Sequence, residues 1–140
     1  MSEIEYKATT ALLVVDMQND FADPDGSLFV EGGDTIIDTI NAEIGAATRA
    51  DGFVVYTQDW HPAQTPHFDI HGGVWPVHCV RDTWGAEFSP MLVVDGPVVR
   101  KGSNGEDGYS GFTMRDPESG EQTPTELDGL LRERGIESVV

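Results

Sequence analysis

The chain has 140 residues, of which 39% are hydrophobic and 24% charged, and its formal net charge is −17. This length suits a single domain of roughly 100–200 residues, and the apolar content argues against intrinsic disorder. An acidic surface repels phosphate backbones and anionic lipid head groups, which excludes nucleic acid and membranes as expected partners. A polar N-terminus without an apolar signal core and a single cysteine indicate a reducing, cytoplasmic setting.

The first half of the chain alternates strand-like and helix-like segments. Residues 10–20, TALLVVDMQND, predict a buried strand that ends in polar residues, and residues 53–59, FVVYTQD, predict a second one. Between them, residues 34–52 place apolar side chains at spacings of three and four, which indicates a helix that ends near Gly52. The apolar positions of this helix are Ile36, Ile37, Ile40, Ile44 and Ala47.

The second half continues this alternation. Residues 91–102 predict one or two further strands, and IESVV at residues 136–140 begins another. The segment TPTELDGLLRERG predicts a helix with Thr123 as N-cap, Pro124 at the first position and Gly135 after its end. Repeated strand–helix–strand units predict an α/β protein whose parallel sheet carries helices on its faces.

Three of the strand-like runs end in a charged side chain. Asp16, Asp59 and Lys101 each terminate one run, and the carboxyl ends of parallel strands meet at one rim of a sheet. Asp16 is either a capping or turn residue or a buried general base. Lys101 is either half of an exposed ion pair or a partly buried cation that binds an anion or favours a thiolate.

Residue types that bind metal ions follow the second strand. Three of the four histidines, His61, His67 and His78, lie within 18 residues, and Asp59 comes just before them. Carboxylate and imidazole groups together suit a borderline divalent ion such as Zn(II), Mn(II) or Fe(II). The alternative is that these histidines are hydrogen-bonded or solvent-facing loop residues, as we expect for His71 in the turn IHGG.

The only cysteine, Cys79, follows His78 in the stretch WPVHCV. From the pattern alone it is a nucleophile, a metal ligand or a small buried side chain. Phe21 and Trp75 are similarly ambiguous, because each is either a core residue or a planar wall for a small aromatic ligand. The residues by themselves leave these alternatives open.

Seven motifs occur in order along the chain: LLVVDMQNDF, VVYTQDWHP, HF, WPVHCV, GAEF, RKG and YSGF. Together they resemble the nicotinamidase branch of the isochorismatase-like cysteine hydrolases, over residues 11–140. The resemblance implies a single isochorismatase-like hydrolase domain over residues 1–140, with a three-layer α/β/α fold and a central, mostly parallel sheet. It also implies an amidase that converts nicotinamide to nicotinate and ammonia in pyridine nucleotide (NAD) salvage.

The resemblance also implies roles for individual residues. Asp16 corresponds to the general base and Lys101 to the middle member of an Asp–Lys–Cys triad. Phe21 and Trp75 correspond to residues on opposite sides of the substrate ring. One divalent metal ion (Zn, Fe or Mn) is implied, with four candidate ligands: Asp59, His61, His78 and, in some members, His67.

The nucleophilic cysteine implied by the resemblance belongs to a turn of the form G-x-x-T-D-x-C, after the strand that begins at residue 136. No such turn occurs within the 140 residues. We therefore expect the nucleophile beyond residue 140, a C-terminal portion of the domain missing from this chain, and an inactive 140-residue fragment. Cys79 then becomes a buried structural neighbour of His78.

Two alternatives stay open from the sequence. The first is another isochorismatase-like hydrolase, acting on isochorismate or an N-carbamoyl amide, for which the metal-binding loop would be unnecessary. The second is a non-catalytic metal-binding fragment with His78 and Cys79 as ligands. We expect a small-molecule amide as the partner, and related enzymes often form homo-oligomers. The sequence predicts neither the identity of the metal nor the oligomeric state of this protein.

Overall fold

In the computed structural model, which describes residues 3–140, six strands form two sheets. The strands are β1 (Thr10–Val15), β2 (Phe53–Asp59), β3 (Val98–Lys101), β4 (Thr113–Arg115), β5 (Gln122–Pro124) and β6 (Ser138–Val139). The main sheet is parallel throughout, in the order β3-β2-β1-β6, and β4 pairs with β5 as an antiparallel hairpin.

Helices cover both faces of the main sheet. They are α1 (Asn19–Ala22), α2 (Ile37–Arg49) and α3 (Leu127–Glu133), with short 3₁₀ turns at Gly33–Ile36, Asp69–His71 and Trp84–Ala86. Successive side chains of a strand point to opposite faces. Val14 and Val54 accordingly belong to the core cluster that includes Ile44 of α2, whereas Val55 packs in a second cluster with Leu127 of α3. This helix–sheet–helix layering confirms the α/β/α fold class.

The pairing register places the carboxyl ends of three neighbouring strands side by side. Val15 of β1 lies opposite Thr57 of β2, and Asp59 of β2 lies opposite Lys101 of β3. Asp16 follows β1 directly and has a left-handed backbone, with φ of 54°, a conformation that aspartate tolerates better than most residues. The three charged residues predicted to share one rim therefore do so.

The helix predicted to start at Thr123 begins instead at Leu127. Thr123 and Pro124 lie in β5, and the hydroxyl of Thr125 accepts a hydrogen bond from the Leu127 amide at 3.3 Å. The N-cap prediction was wrong because strand pairing with β4 takes up the residues that carry the local capping pattern. Gly135 follows the helix as predicted, with φ of 65°.

Other element boundaries also differ from the prediction. Of residues 91–102, only Val98–Lys101 form a strand. The helix predicted within residues 34–52 is α2, which begins at Ile37. Ile36 lies before it and is exposed, and the left-handed residue after it is Asp51 rather than Gly52. Within residues 3–140, none of the helices combines the length and the apolar character needed to cross a membrane.

Candidate active site and metal centre

Lys101 lies at the centre of a buried charge cluster. Its side chain is only 1% exposed. Its Nζ donates to Asp16 Oδ2 at 2.9 Å, to Asp59 Oδ1 at 2.8 Å and to the carbonyl oxygen of Gly108. These contacts use all three N–H bonds of an ammonium group. Burial alone lowers the lysine pKa, but the two carboxylates outweigh it and raise the pKa overall. Lys101 is therefore a buried cation and not half of an exposed ion pair.

Asp16 is held between Lys101 and β2. Its Oδ1 accepts a hydrogen bond from the Thr57 hydroxyl at 2.7 Å, and its Oδ2 accepts one from Lys101. Burial, and then the negative charge of Asp59, raise the pKa of Asp16, while Lys101 and Thr57 oppose that shift. The residue borders a cavity of about 190 Å³. A carboxyl group with a raised pKa at a cavity wall is suited to proton transfer.

Asp59 belongs to the charge cluster and to a neighbouring histidine cluster. Its Oδ1 accepts from Lys101, and its Oδ2 lies 3.5 Å from His61 Nε2 and 3.8 Å from His78 Nε2. Burial raises the pKa of Asp59, but the contacts with the two histidines and the charge of Lys101 outweigh burial and lower the pKa far below its usual range. Ligand atoms that each lie about 2.1 Å from one ion are roughly 3–4 Å apart, so this spacing suits a shared metal.

The three predicted histidine ligands converge beside Asp59. One nitrogen from each of His61, His67 and His78 lies within 4.8 Å of the others, and all three residues are buried. Among residues 3–140, both ring nitrogens of His61 are buried without a hydrogen-bond partner. Buried polar atoms are normally paired, so the orphaned Nε2 of His61, which lies beside Asp59, indicates a ligand, and a divalent ion fits this set of donors. His71 lies apart from the cluster and is exposed, as expected.

Two glycines make room for this site. Gly102 has φ of 72°, and a Cβ at this position would lie 2.5 Å from Cε1 of His61. A Cβ on Gly108 would lie 2.7 Å from Oδ1 of Asp59 and 3.2 Å from Cγ of Lys101. Any larger residue at either position would displace a side chain of the charge cluster or of the histidine cluster.

Aromatic side chains form the walls of the cavity. The ring of Phe21 lies 5.6 Å from that of His78, and the ring of Trp75 lies 6.4 Å from that of His67. The Trp75 indole donates a hydrogen bond to the hydroxyl of Tyr109 at 2.9 Å. Both aromatic residues singled out from the sequence therefore line the cavity. Tyr109, the first residue of the motif YSGF, lines the cavity too, and its sequence position alone does not predict this.

Gln18 is a second residue whose place the sequence did not reveal. It is fully buried, and its amide donates to the carbonyl oxygens of Asp59 at 2.7 Å and of Ala86 at 3.0 Å. Its Oε1 accepts from the Asp59 amide at 2.8 Å. This side chain therefore fixes the backbone at the end of β2. The only sequence signal was the polar run that follows β1.

Cys79 is fully buried behind the histidines. Its backbone has φ of 47°, and its amide donates to Oδ2 of Asp20 at 2.8 Å. Burial, and then the nearby carboxylates of Asp59 and Asp20, raise the pKa of the thiol well above its usual value. A nucleophilic cysteine needs the opposite shift and an accessible sulfur. Cys79 therefore has the environment of a structural residue.

Residues 10–140 match the isochorismatase domain family. The chain belongs to this family. Its isochorismatase domain resembles the nicotinamidase of Acinetobacter baylyi, with 38% identity over an alignment 160 residues long. The alignment covers 99% of this chain and 71% of that protein. The family resemblance carried by the seven motifs is thus confirmed.

Solved structures of the isochorismatase family extend the comparison to three dimensions. The pyrazinamidase of Pyrococcus horikoshii in complex with zinc aligns with a TM-score of 0.80 and 39% identity, covering 94% of this chain and 68% of that one. PnC1 of L. infantum in complex with nicotinate aligns with a TM-score of 0.85 and 37% identity, covering 97% and 67%. These neighbours support the central parallel sheet flanked by helices.

Proposed function

We propose that this isochorismatase-family chain belongs to an amidohydrolase that converts nicotinamide to nicotinate and ammonia, in NAD salvage. The observation that carries the proposal is the buried contact of Lys101 with Asp16 and Asp59, beside three histidines and at the wall of an aromatic-lined cavity. The likeness to a nicotinamidase and to structures that hold nicotinate or zinc supports the same substrate class and a divalent metal.

In this proposal a cysteine thiol from outside the 140 residues attacks the amide carbon while Asp16 takes its proton. The sulfur electron pair forms the C–S bond, and the C–N bond breaks as Asp16 returns the proton to the departing ammonia. Water then cleaves the thioester to nicotinate and restores the thiol. The raised pKa of Asp16 suits a group that must accept a proton and then release it. The charge of Lys101 favours the thiolate over the thiol.

The proposed ligands of the divalent ion are Asp59, His61, His67 and His78. When bound, such an ion would orient the substrate ring and polarise it through the pyridine nitrogen. Phe21 and Trp75 would hold the ring between them and exclude water from its faces. The mixed oxygen and nitrogen donors suit zinc, iron or manganese.

Ammonia release from nicotinamide by the full-length protein tests this function. Asp16→Ala is expected to lower kcat by about 10²–10⁴-fold, because a positioned general acid–base contributes that much. Asp95→Ala, which alters an exposed aspartate next to the sheet edge, serves as the control and is expected to retain full activity. Full activity of Asp16→Ala would remove Asp16 from the mechanism. Turnover of an N-carbamoyl amide or isochorismate, without turnover of nicotinamide, would show that nicotinamide is not the substrate.

Cys79→Ser is expected to leave the rate of ammonia release and the metal content unchanged, because the Cys79 sulfur is buried behind the site. The protein should lose about 1–3 kcal/mol of unfolding free energy, since the carbonyl oxygen of Gly85, which the thiol contacts at 3.9 Å, is too distant to accept a hydrogen bond from a hydroxyl. An ammonia assay with elemental analysis checks activity and metal content, and denaturant titration checks stability. Mass spectrometry of the acylated protein detects the covalent intermediate. Loss of the covalent intermediate with an intact metal content would instead identify Cys79 as the nucleophile.

A further inference from the structure

Asp107 is a buried carboxylate that the proposed mechanism does not use. It is 4% exposed. Its Oδ1 accepts a hydrogen bond from Nδ1 of His67, and its Oδ2 accepts one from Nη1 of Arg115 at 3.1 Å. A buried carboxylate is costly unless it is paired and hydrogen-bonded, and both oxygens of this one are engaged. The sequence offered no reason to single out Asp107 among the 25 acidic residues.

The backbone fixes the position of this carboxylate. The Asp107 amide donates to the carbonyl oxygen of Arg115 at 2.7 Å, and the Arg115 amide donates back to that of Asp107 at 3.1 Å. The next residue, Gly108, accepts a hydrogen bond from Lys101 through its carbonyl oxygen. Asp107 is thus anchored on one side to the β4–β5 hairpin and on the other to the charge cluster.

The contact with Asp107 determines which nitrogen of His67 remains free. A carboxylate oxygen can only accept, so we assign the hydrogen of this contact to Nδ1, which leaves the lone pair of the neutral ring on Nε2. His78 has a parallel arrangement, because its Nδ1 contacts the carbonyl oxygen of Pro76 at 2.7 Å. The ring of His67 also stacks on that of His61, with centroids 4.6 Å apart and an interplanar angle of 25°. In metal sites, a carboxylate or carbonyl partner of this kind fixes the tautomer and orientation of a ligand imidazole.

We propose that Asp107 is a positioning residue, which holds His67 in the tautomer and orientation needed to bind the divalent ion. Arg115 supports the carboxylate from the hairpin, and its own side chain is half exposed, at 47%. This inference rests on the metal site of the proposed function. It adds that His67, one of the proposed ligands, is held in place by a residue outside the motif that contains it.

The test measures cobalt(II) and zinc(II) binding by the full-length protein, at one fixed pH and without substrate. Asp107→Ala is expected to lower the affinity for both ions by about 10–100-fold, and to change the visible absorption spectrum of the cobalt form. Arg115→Gln, which keeps the contact between Asp107 and His67, is expected to lower affinity by less than about fivefold, since the half-exposed arginine acts on the metal site only through Asp107. Asp128→Asn, in the exposed ion pair with Arg132, is the matched control and should bind like wild type.

Further variants separate a positioning role from a merely structural one. His67→Ala should lower affinity, and adding Asp107→Ala to it should cause no further loss, because the carboxylate acts through the imidazole. If Asp107→Ala does not fold, Asp107→Asn takes its place, because asparagine keeps the side-chain shape. Its metal affinity is expected to fall roughly threefold or more.

Wild-type affinity and an unchanged cobalt spectrum in Asp107→Ala, or in Asp107→Asn where the alanine variant is unfolded, would overturn this inference alone. A wild-type protein that binds neither ion would overturn both the inference and the proposed metal site. Additive losses in the double variant would also overturn the inference, since they would show that Asp107 acts independently of His67.

Discussion

Lys101→Met is expected to abolish most of the amidase activity and to destabilise the fold at the same time. Removing the ammonium leaves the buried Asp59 and the partly buried Asp16 without their shared cation. Breaking a buried ion pair in this way costs about 3–5 kcal/mol. The rate of ammonia release from nicotinamide should fall by about 10²–10⁴-fold, because the thiolate and the general base both lose a neighbouring charge. Denaturant titration and a coupled ammonia assay measure the two effects separately.

Arg132→Met is the matched control for this substitution. It also removes a cation that is paired with an aspartate, but Arg132 is 79% exposed and its pair with Asp128 lies on the surface of α3. The change in unfolding free energy should stay within about 0.5 kcal/mol. Equal stability and equal activity of Lys101→Met and wild type would contradict the buried cation cluster as the catalytic centre.

Asp59→Asn is expected to lower both metal affinity and amidase activity, because the Asp59 carboxylate belongs to two clusters. Its Oδ1 accepts from Lys101, and its Oδ2 faces His61 and His78. The neutral amide keeps the shape of the side chain but removes the charge that a divalent ion and the ammonium both require. Metal affinity should fall by more than the roughly 10–100-fold that loss of an outer-shell partner causes.

Elemental analysis of the purified full-length variant, together with the ammonia assay, checks this expectation. Asp95→Asn makes the same chemical change at an exposed position and should retain both metal and activity. Retention of a full metal complement by Asp59→Asn would show that the histidines bind the ion without this carboxylate, and would limit Asp59 to its contact with Lys101.

The strands and their charged ends were predictable because buried parallel strands are continuous apolar runs. Each of β1, β2 and β3 is followed or ended by a polar residue, and parallel pairing alone places those residues on one rim. The histidine cluster was predictable as a group, since its members are close in sequence. The resemblance to the isochorismatase-like hydrolases then associated these residues with one chemistry.

Contacts between distant residues could not be predicted in this way. Asp107 reaches His67 across 40 positions, and Gln18 reaches the backbone of Asp59 across 41. No local period or motif encodes such pairs, because they depend on how loops pack over the sheet. The start of the helix at Leu127 has a different reason: β5 pairs with β4 in a local hairpin, and this pairing overrides a favourable capping pattern.

The order of strands in the main sheet also bears on how this protein folds. Lys101 meets Asp16 across 85 positions and Asp59 across 42, so the site exists only when β1, β2 and β3 are all paired. Contacts of such long range form late and together, because loop closure must precede them. A partly folded chain would therefore have no partly active site. Loss of activity in denaturant should coincide with cooperative unfolding of the sheet, which makes turnover a direct reporter of the native population.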